Sequence, residues 1–443
     1  MFKKLLFVTI GMLLVVTAAN AQWTFVKYFP DTVTIKGWAS GVNNGIAVDP
    51  DGKIWIQSYA YNSSVDSLAT GVYTGQIRVY YPSGTEASFS PIEILSGVDQ
   101  TGASVTDTLN GSGYGLAVDP SSGNILSVKW STRLWMIDYK TGQGIRRVAN
   151  PIPGYASSLC TPAVDDLGEV FVAPVVPGNA VAILNPDFTA AGTVETASQN
   201  YSRCIAVSAD GNDVYFPTFG NKQTYVYHSD NGSLGPYSLV DSILIGMTVE
   251  TSVWQPKTGY LWVTSGNTTS GLPDPPWVGY RFYAYDVASK QIVDSIAVYD
   301  PLIPEYGTDP RPRGIAFNAN GDTAYVACFN GTMASWVEVF AKSGAVYVQP
   351  DNNVVPTGYE LSQNYPNPFN PSTTIKFSIA QSGMTTLKVF DVMGREVTTL
   401  VNESLAAGAY TVRFDGANLS SGTYLYVLTS GGHRLTGKML LLK

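Results

Sequence analysis

Gly45-Ile-Ala-Val-Asp-Pro-Asp-Gly-Lys-Ile-Trp-Ile56 is an apolar run, a turn of Asp, Pro and Gly, and a second apolar run. The pattern reads as a hairpin, because Asp and Gly supply the backbone angles of a tight reversal and the flanking residues favour strands. The same phrase returns as Gly115-Leu-Ala-Val-Asp-Pro-Ser-Ser-Gly-Asn-Ile-Leu126, Pro162-Ala-Val-Asp-Asp-Leu-Gly-Glu-Val-Phe-Val172 and Cys204-Ile-Ala-Val-Ser-Ala-Asp-Gly-Asn-Asp-Val-Tyr215. Two further copies are Ser252-Val-Trp-Gln-Pro-Lys-Thr-Gly-Tyr-Leu-Trp-Val263 and Gly314-Ile-Ala-Phe-Asn-Ala-Asn-Gly-Asp-Thr-Ala-Tyr-Val326. After each comes another alternating run, such as Gln76–Tyr81, Arg133–Asp138 or Trp336–Phe340, which reads as a further strand.

From Val48 through Val118, Val164, Val207, Trp254 and Phe317 the steps are 70, 46, 43, 47 and 63 residues. Three of them suit the repeat of a four-stranded propeller blade, about 40–50 residues. The long steps leave room for insertions near Tyr59–Gly71 or Ser88–Gly113, and near Gly266–Val278. The expectation is therefore an all-β chain with a six-bladed β-propeller over residues 22–348. A seventh blade hidden between Gly52 and Gly115, a series of sandwiches and an irregular solenoid are the alternatives. A lone sheet with two apolar faces is not stable, and radial stacking covers both faces. Closure of the ring is expected from Trp23–Tyr28, laid beside Trp336–Phe340.

Outside the repeats, residues 1–21 read as a secretory signal. Lys3 and Lys4 precede an apolar Leu5–Val16, and Ala19-Asn20-Ala21 offers small residues for cleavage. A membrane anchor is the alternative. Cys160, Cys204 and Cys328 are too few and too scattered for a disulfide framework and read as buried small residues, with one Cys160–Cys204 bridge left open. Residues 22–360 carry 17 Lys and Arg against 30 Asp and Glu, net −13, which argues against a nucleic-acid partner. Residues 349–360 read as a polar linker.

Residues 361–443 resume alternating strands at Thr374–Ile379, Thr386–Asp391, Val397–Val401, Gly408–Phe414, Gly422–Leu428 and Leu435–Leu442, the pattern of a small Ig-like β-sandwich. Tyr365-Pro-Asn-Pro-Phe-Asn-Pro371, Val389-Phe-Asp-Val-Met-Gly-Arg395, Leu419-Ser-Ser-Gly-Thr-Tyr424 and Lys438-Met-Leu-Leu-Leu-Lys443 resemble, in order, the type A C-terminal sorting domain of the type IX secretion system. That resemblance implies passage through the periplasm to the outside and recognition by the type IX machinery. It also implies removal of the domain, or its exchange for attachment to surface lipopolysaccharide. The repeats more loosely resemble those of NHL and YVTN-type propellers over Trp23–Val348.

Chemistry is sparse in the repeats. His228 and His433 are the two histidines, so zinc clusters and Ser-His-Asp relays are hard to assemble. His228 reads as a turn residue sooner than as a catalytic base. Asp49, Asp51, Asp119, Asp165, Asp166, Asp210, Asp213 and Asp322 recur in the turns, where they are expected to be structural, with a calcium site as the alternative. Trp277, Tyr306, Arg311 and Arg313 stand in Pro-stiffened insertions and are the candidate ligand contacts. The expected function is a secreted or cell-surface module binding an extracellular protein or glycan without turning it over. The alternative is an extracellular hydrolase or lyase with metal or carboxylates in the channel. Catalysis is left undecided.

Overall fold

The computed structural model describes residues 23–30, 43–58, 76–109, 113–129, 132–155, 158–198, 200–218, 220–266, 273–298, 311–329, 336–342, 348–351, 356–405, 407–417 and 419–443. Residues 1–21, read as a signal, lie outside them. The chain is all-β, folded as many small antiparallel sheets. Among the described residues, six sheets precede the C-terminal module, and each repeated phrase supplies the first two strands of one.

The first sheet holds Asn43–Val48, Ile54–Ser58 and Ile77–Tyr80. The third holds Ala163–Val164, Val170–Val172, Val181–Leu184 and Ala190–Glu195. The fourth holds Ala206–Val207, Asp213–Thr218, Gln223–His228 and Ser238–Ile243. The fifth holds Ser252–Trp254, Leu261–Thr264, Arg281–Asp286 and Gln291–Ala297. The second begins with Gly113–Val118, Ile125–Lys129, Arg133–Ile137 and Gly144–Ala149. It is then extended by Ile94–Asp99, parallel to its outer strand, and by Ser104–Thr108. The Ser88–Gly113 insertion thus lengthens an existing sheet, and its described strands form no separate one.

Each sheet buries both faces, which is why its strands read as nearly unbroken apolar runs. Ile54 and Ile56 pack with Tyr325 and Val339 of the sixth sheet, whereas Trp55 between them packs with Leu116 and Trp135 of the second. Val170 and Val172 likewise meet Leu126 and Val128, while Phe171 meets Val207 and Phe216. The remaining seams pair Tyr215 and Val226 with Leu261 and Val263, and Trp262 and Phe282 with Ile315 and Phe317. Among the described residues, six apolar cores therefore join these sheets in a cycle that returns from the sixth to the first.

The sixth sheet is where that cycle is fastened. It contains Arg311–Phe317, Thr323–Phe329 and Trp336–Lys342, and its outer strand is Trp23–Phe29 from nearly three hundred residues earlier. Trp23 stands opposite Lys342 and Phe29 opposite Val337 in antiparallel register, as expected for the closing strand. Its two ends reach both neighbouring sheets. The Trp23 ring meets Trp262 edge-on at 5.7 Å, and its indole N–H donates to Asp294 at 3.0 Å. Phe29 lies between Tyr80 at 5.8 Å and Tyr325 at 5.4 Å.

The C-terminal module is two four-stranded antiparallel sheets over one core. One contains Val348–Asp351, Gly408–Asp415, Ser372–Ile379 and Glu360–Leu361; the other contains Glu396–Leu405, Gly383–Phe390, Gly422–Ser430 and His433–Leu441. Phe377, Leu387, Tyr410, Tyr426 and Leu441 fill the space between them. The 349–360 segment read as a linker is instead partly built into this module. Val348–Asp351 pairs with Gly408–Asp415 as an edge strand, where Pro350 is tolerated because an edge needs no N–H on its open side.

Candidate functional site

The inner strands begin at one end of the ring, here called the mouth, and the hairpin turns lie at the other. At the mouth the repeat places Gly45, Gly115, Thr161, Cys204, Thr251 and Gly314 in equivalent positions. They are small because backbones meet there. A Cβ on Gly45 would fall 2.8 Å from the Leu116 nitrogen, and one on Gly115 only 2.0 Å from Thr161 Oγ1. The Thr161 N–H donates to the Arg203 carbonyl at 3.1 Å, and the Thr251 hydroxyl donates to the Arg313 carbonyl. Neighbouring sheets therefore meet closely, with main chain on at least one side, along this layer.

One residue earlier in the same register stand Arg203, Glu250 and Arg313. Glu250 and Arg313 are both buried and ion-paired, and Arg203 Nε lies 3.4 Å from Glu250 Oε2. A buried charge must be paired, so the Glu250 carboxylate fastens three successive sheets together. Arg313, a candidate ligand contact, is thus committed to the ring's own electrostatics. Arg311 opens its strand, and its side chain lies outside the described residues, as does the whole of Tyr306. Trp277 is half-buried against Tyr283, at 5.4 Å, and its indole N–H donates to the Ile245 carbonyl at 2.7 Å. Lys222 grips the same loop through Asp274 at 2.6 Å. Beside this held indole, Ile245 and Val278 are more than half exposed.

A second polar group is buried near the mouth between the first two sheets. Gln57, Ser127 and Lys129 have no exposed surface. With the Gln57 amide oxygen facing them, it accepts from Ser127 Oγ at 2.7 Å and from Lys129 Nζ at 3.1 Å, while the amide nitrogen donates to the Gly115 carbonyl at 2.9 Å. Burial lowers the Lys129 ammonium to about 7. Neither Lys129 nor Glu250 announces itself in the sequence. Their shared signal is a charged residue inside an otherwise apolar strand or beside its first residue.

At the opposite end the turn carboxylates are engaged with their own turns. Asp49 Oδ1 accepts the amides of Asp51 and Lys53, and its Oδ2 accepts the Trp55 indole N–H at 2.8 Å. Asp119 accepts from Ser121 and Ser122, and Asp210 from Ser208 and Asn212. Asp322 accepts from Asn318. His228 lies here too, with Nδ1 at 2.7 Å from Asp213 and Nε2 at 3.2 Å from Asp230; those hydrogen bonds raise its pKa. It is remote from the mouth loops. Among the described residues no three or more His, Cys, Asp or Glu are grouped to hold a metal. The three cysteines are buried free thiols, and burial pushes Cys204 up to about 12.

In the C-terminal module the four sequence motifs, spread over some eighty residues, converge on one end. The Phe369 N–H donates to the Leu440 carbonyl at 2.9 Å, and the Leu442 N–H returns to Phe369 at 3.0 Å. The Asn367 side chain accepts the Leu440 N–H at 2.9 Å, and the Lys443 ammonium reaches the Ala417 carbonyl at 2.6 Å. Gly422 pairs with Leu441, and Phe390 with Leu425. Tyr365, Val392 and Met393 remain largely exposed.

Residues 363–442 match the family described as "Secretion system C-terminal sorting domain". The chain therefore carries a sorting domain, which indicates export and a secreted or cell-surface location. No curated protein matches the chain. Among solved structures, one titled "Crystal Structure of Mitotic Checkpoint Complex" superposes with a TM-score of 0.43 at 11% identity, covering 77% of this chain and 98% of that one. So loose a likeness carries no argument.

Proposed function

We propose that the protein is a six-bladed propeller with an Ig-like sorting module, exported by the type IX machinery to act outside the cell as a non-catalytic binder of a protein or glycan. The cycle of six seams and the closing strand support the ring, and the two sheets around one core support the Ig-like end. Recognition by the type IX apparatus, followed by release or attachment to lipopolysaccharide, rests on the sorting-domain match.

The observation that carries the binding reading is the mouth around Trp277. An aromatic ring held by a neighbouring loop, flanked by exposed Ile245 and Val278, gives a rigid apolar contact surface at low entropic cost. Behind it, close backbone contacts and the Glu250 ion pairs join neighbouring sheets. Among the described residues, no comparable observation supports the hydrolase or lyase alternative.

The experiment has two parts. Removing Leu361–Lys443 should leave the ring folded and strand it in the periplasm; normal appearance outside the cell would refute the export reading. The mature protein and its Trp277→Ala variant are then screened against arrayed glycans and outer-surface protein fractions. Binding lost in a variant with an unchanged melting profile supports the mouth as the site, and binding unaffected by the substitution rejects it.

A further inference from the structure

The first and third hairpin turns are the same structure with one charge reversed. In Asp49-Pro-Asp-Gly-Lys53, Asp49 Oδ1 accepts the amides of residues 51 and 53 at 3.0 and 2.9 Å. In Asp165-Asp-Leu-Gly-Glu169, Asp165 Oδ1 accepts the amides of residues 167 and 169 at 3.0 and 2.9 Å. Gly52 and Gly168 occupy the same left-handed position, with φ of 82° and 83°. The fifth residue differs. Lys53 Nζ lies 3.0 Å from Asp49 Oδ2, so the first turn carries its own cation. The third turn has Glu169 in that place.

Asp165 is fully buried, and among the described residues its second oxygen has no hydrogen-bond partner; neither has the buried Oε2 of Glu169. No basic side chain pairs with either among the described residues. The turn of the next sheet closes over them: a Cβ on Gly211 would come 2.9 Å from Asp165 Oδ2. Tyr237 is also near, and it feels both carboxylates. Burial, with Glu169 adding to it, pushes Asp165 up to about 6, as expected for a carboxylate lacking its counter-charge.

We propose that Asp165 and Glu169 hold a hard divalent cation, calcium by its ligand chemistry, at the seam between the third and fourth sheets, where Lys53 serves the equivalent turn. Two carboxylates with water completing the shell suit the weak affinities of extracellular calcium sites, about 10⁻⁴–10⁻³ M. The site deepens the ring reading without depending on any ligand at the mouth. It fastens two neighbouring sheets through a turn that otherwise repels itself.

The test uses the full mature chain, chelated and then titrated with calcium chloride at pH 7.5, followed by calorimetry and by terbium luminescence excited through tyrosine. The expected result is a rise in melting temperature of about 2–4 °C at millimolar calcium. The response should vanish in Glu169→Gln. Glu169→Lys, which rebuilds the first turn's ion pair, should melt higher than the chelated parent and ignore calcium. No calcium response in the parent would overturn the proposal and leave a shared proton between the carboxyls. An undiminished response in Glu169→Lys would place the cation elsewhere and overturn it equally.

Discussion

The ring and the C-terminal module are built from the same material, short antiparallel strands joined by Gly-rich turns, yet they hold together differently. The module has one core between two sheets, filled by strands that are near neighbours in the chain. The ring spreads its apolar residues over six seams, and no seam lies within a single sheet. A local unit can be completed as it is made. A cycle is completed only when Trp23–Phe29 meets Trp336–Lys342. The difference teaches where each region is vulnerable.

The largest expected effect follows from that closing strand. Deleting Trp23–Phe29 should abolish cooperative melting of the ring while the C-terminal module still melts on its own; calorimetry would show one transition lost and one kept. If both vanish, the two regions are a single folding unit and the comparison fails. The reciprocal change is Tyr426→Ala. Its ring is buried over Gly437 and its hydroxyl donates to the Ser362 carbonyl at 2.9 Å. The substitution should cost the module about 3–5 kcal/mol, leave the ring's transition in place, and be read by the same calorimetry.

Lys129 sharpens the comparison through pH. Its folded pKa of about 7 lies below its ordinary value of 10.5, so above pH 7 the folded state sheds a proton that the unfolded state keeps. Stability of the ring should therefore rise with pH between 7 and 10 relative to Lys129→Met, by on the order of 2–4 kcal/mol, in paired urea titrations. A constant difference between the two proteins across that range would show that the ammonium is not strained by burial. The smallest effect is expected where neighbouring sheets meet at the mouth. Gly115→Ala must push Thr161 aside and should cost the ring about 1–3 kcal/mol without moving the module's transition.

Much of this architecture is legible in the sequence. The repeated phrase predicts each hairpin, because a polar side chain bonded within its own turn (Asp or Asn in five, Gln255 in the other) and a Gly in the left-handed region act within about five residues. The closing strand was legible too, by its position before the first repeat. The candidate contacts lie in different settings. Trp277 lies at the mouth beside exposed apolar side chains, but Arg313 turned inward to Glu250, a partner more than sixty positions away with no motif to mark it. The 349–360 segment misled because a Pro-containing edge strand resembles a connector.

What the sequence by itself determined is local: strand, turn, strand, and the motifs of the sorting module, since these depend on hydrogen bonds between near neighbours in the chain. Which sheets face each other was decided only by tertiary structure. So were the burial of Lys129, the joining of Arg203, Glu250 and Arg313 at one point, and the placing of Asp165 and Glu169 with no basic partner among the described residues. The physical reason is that desolvation and charge pairing depend on what the rest of the chain brings to a place, and no five-residue window contains that information.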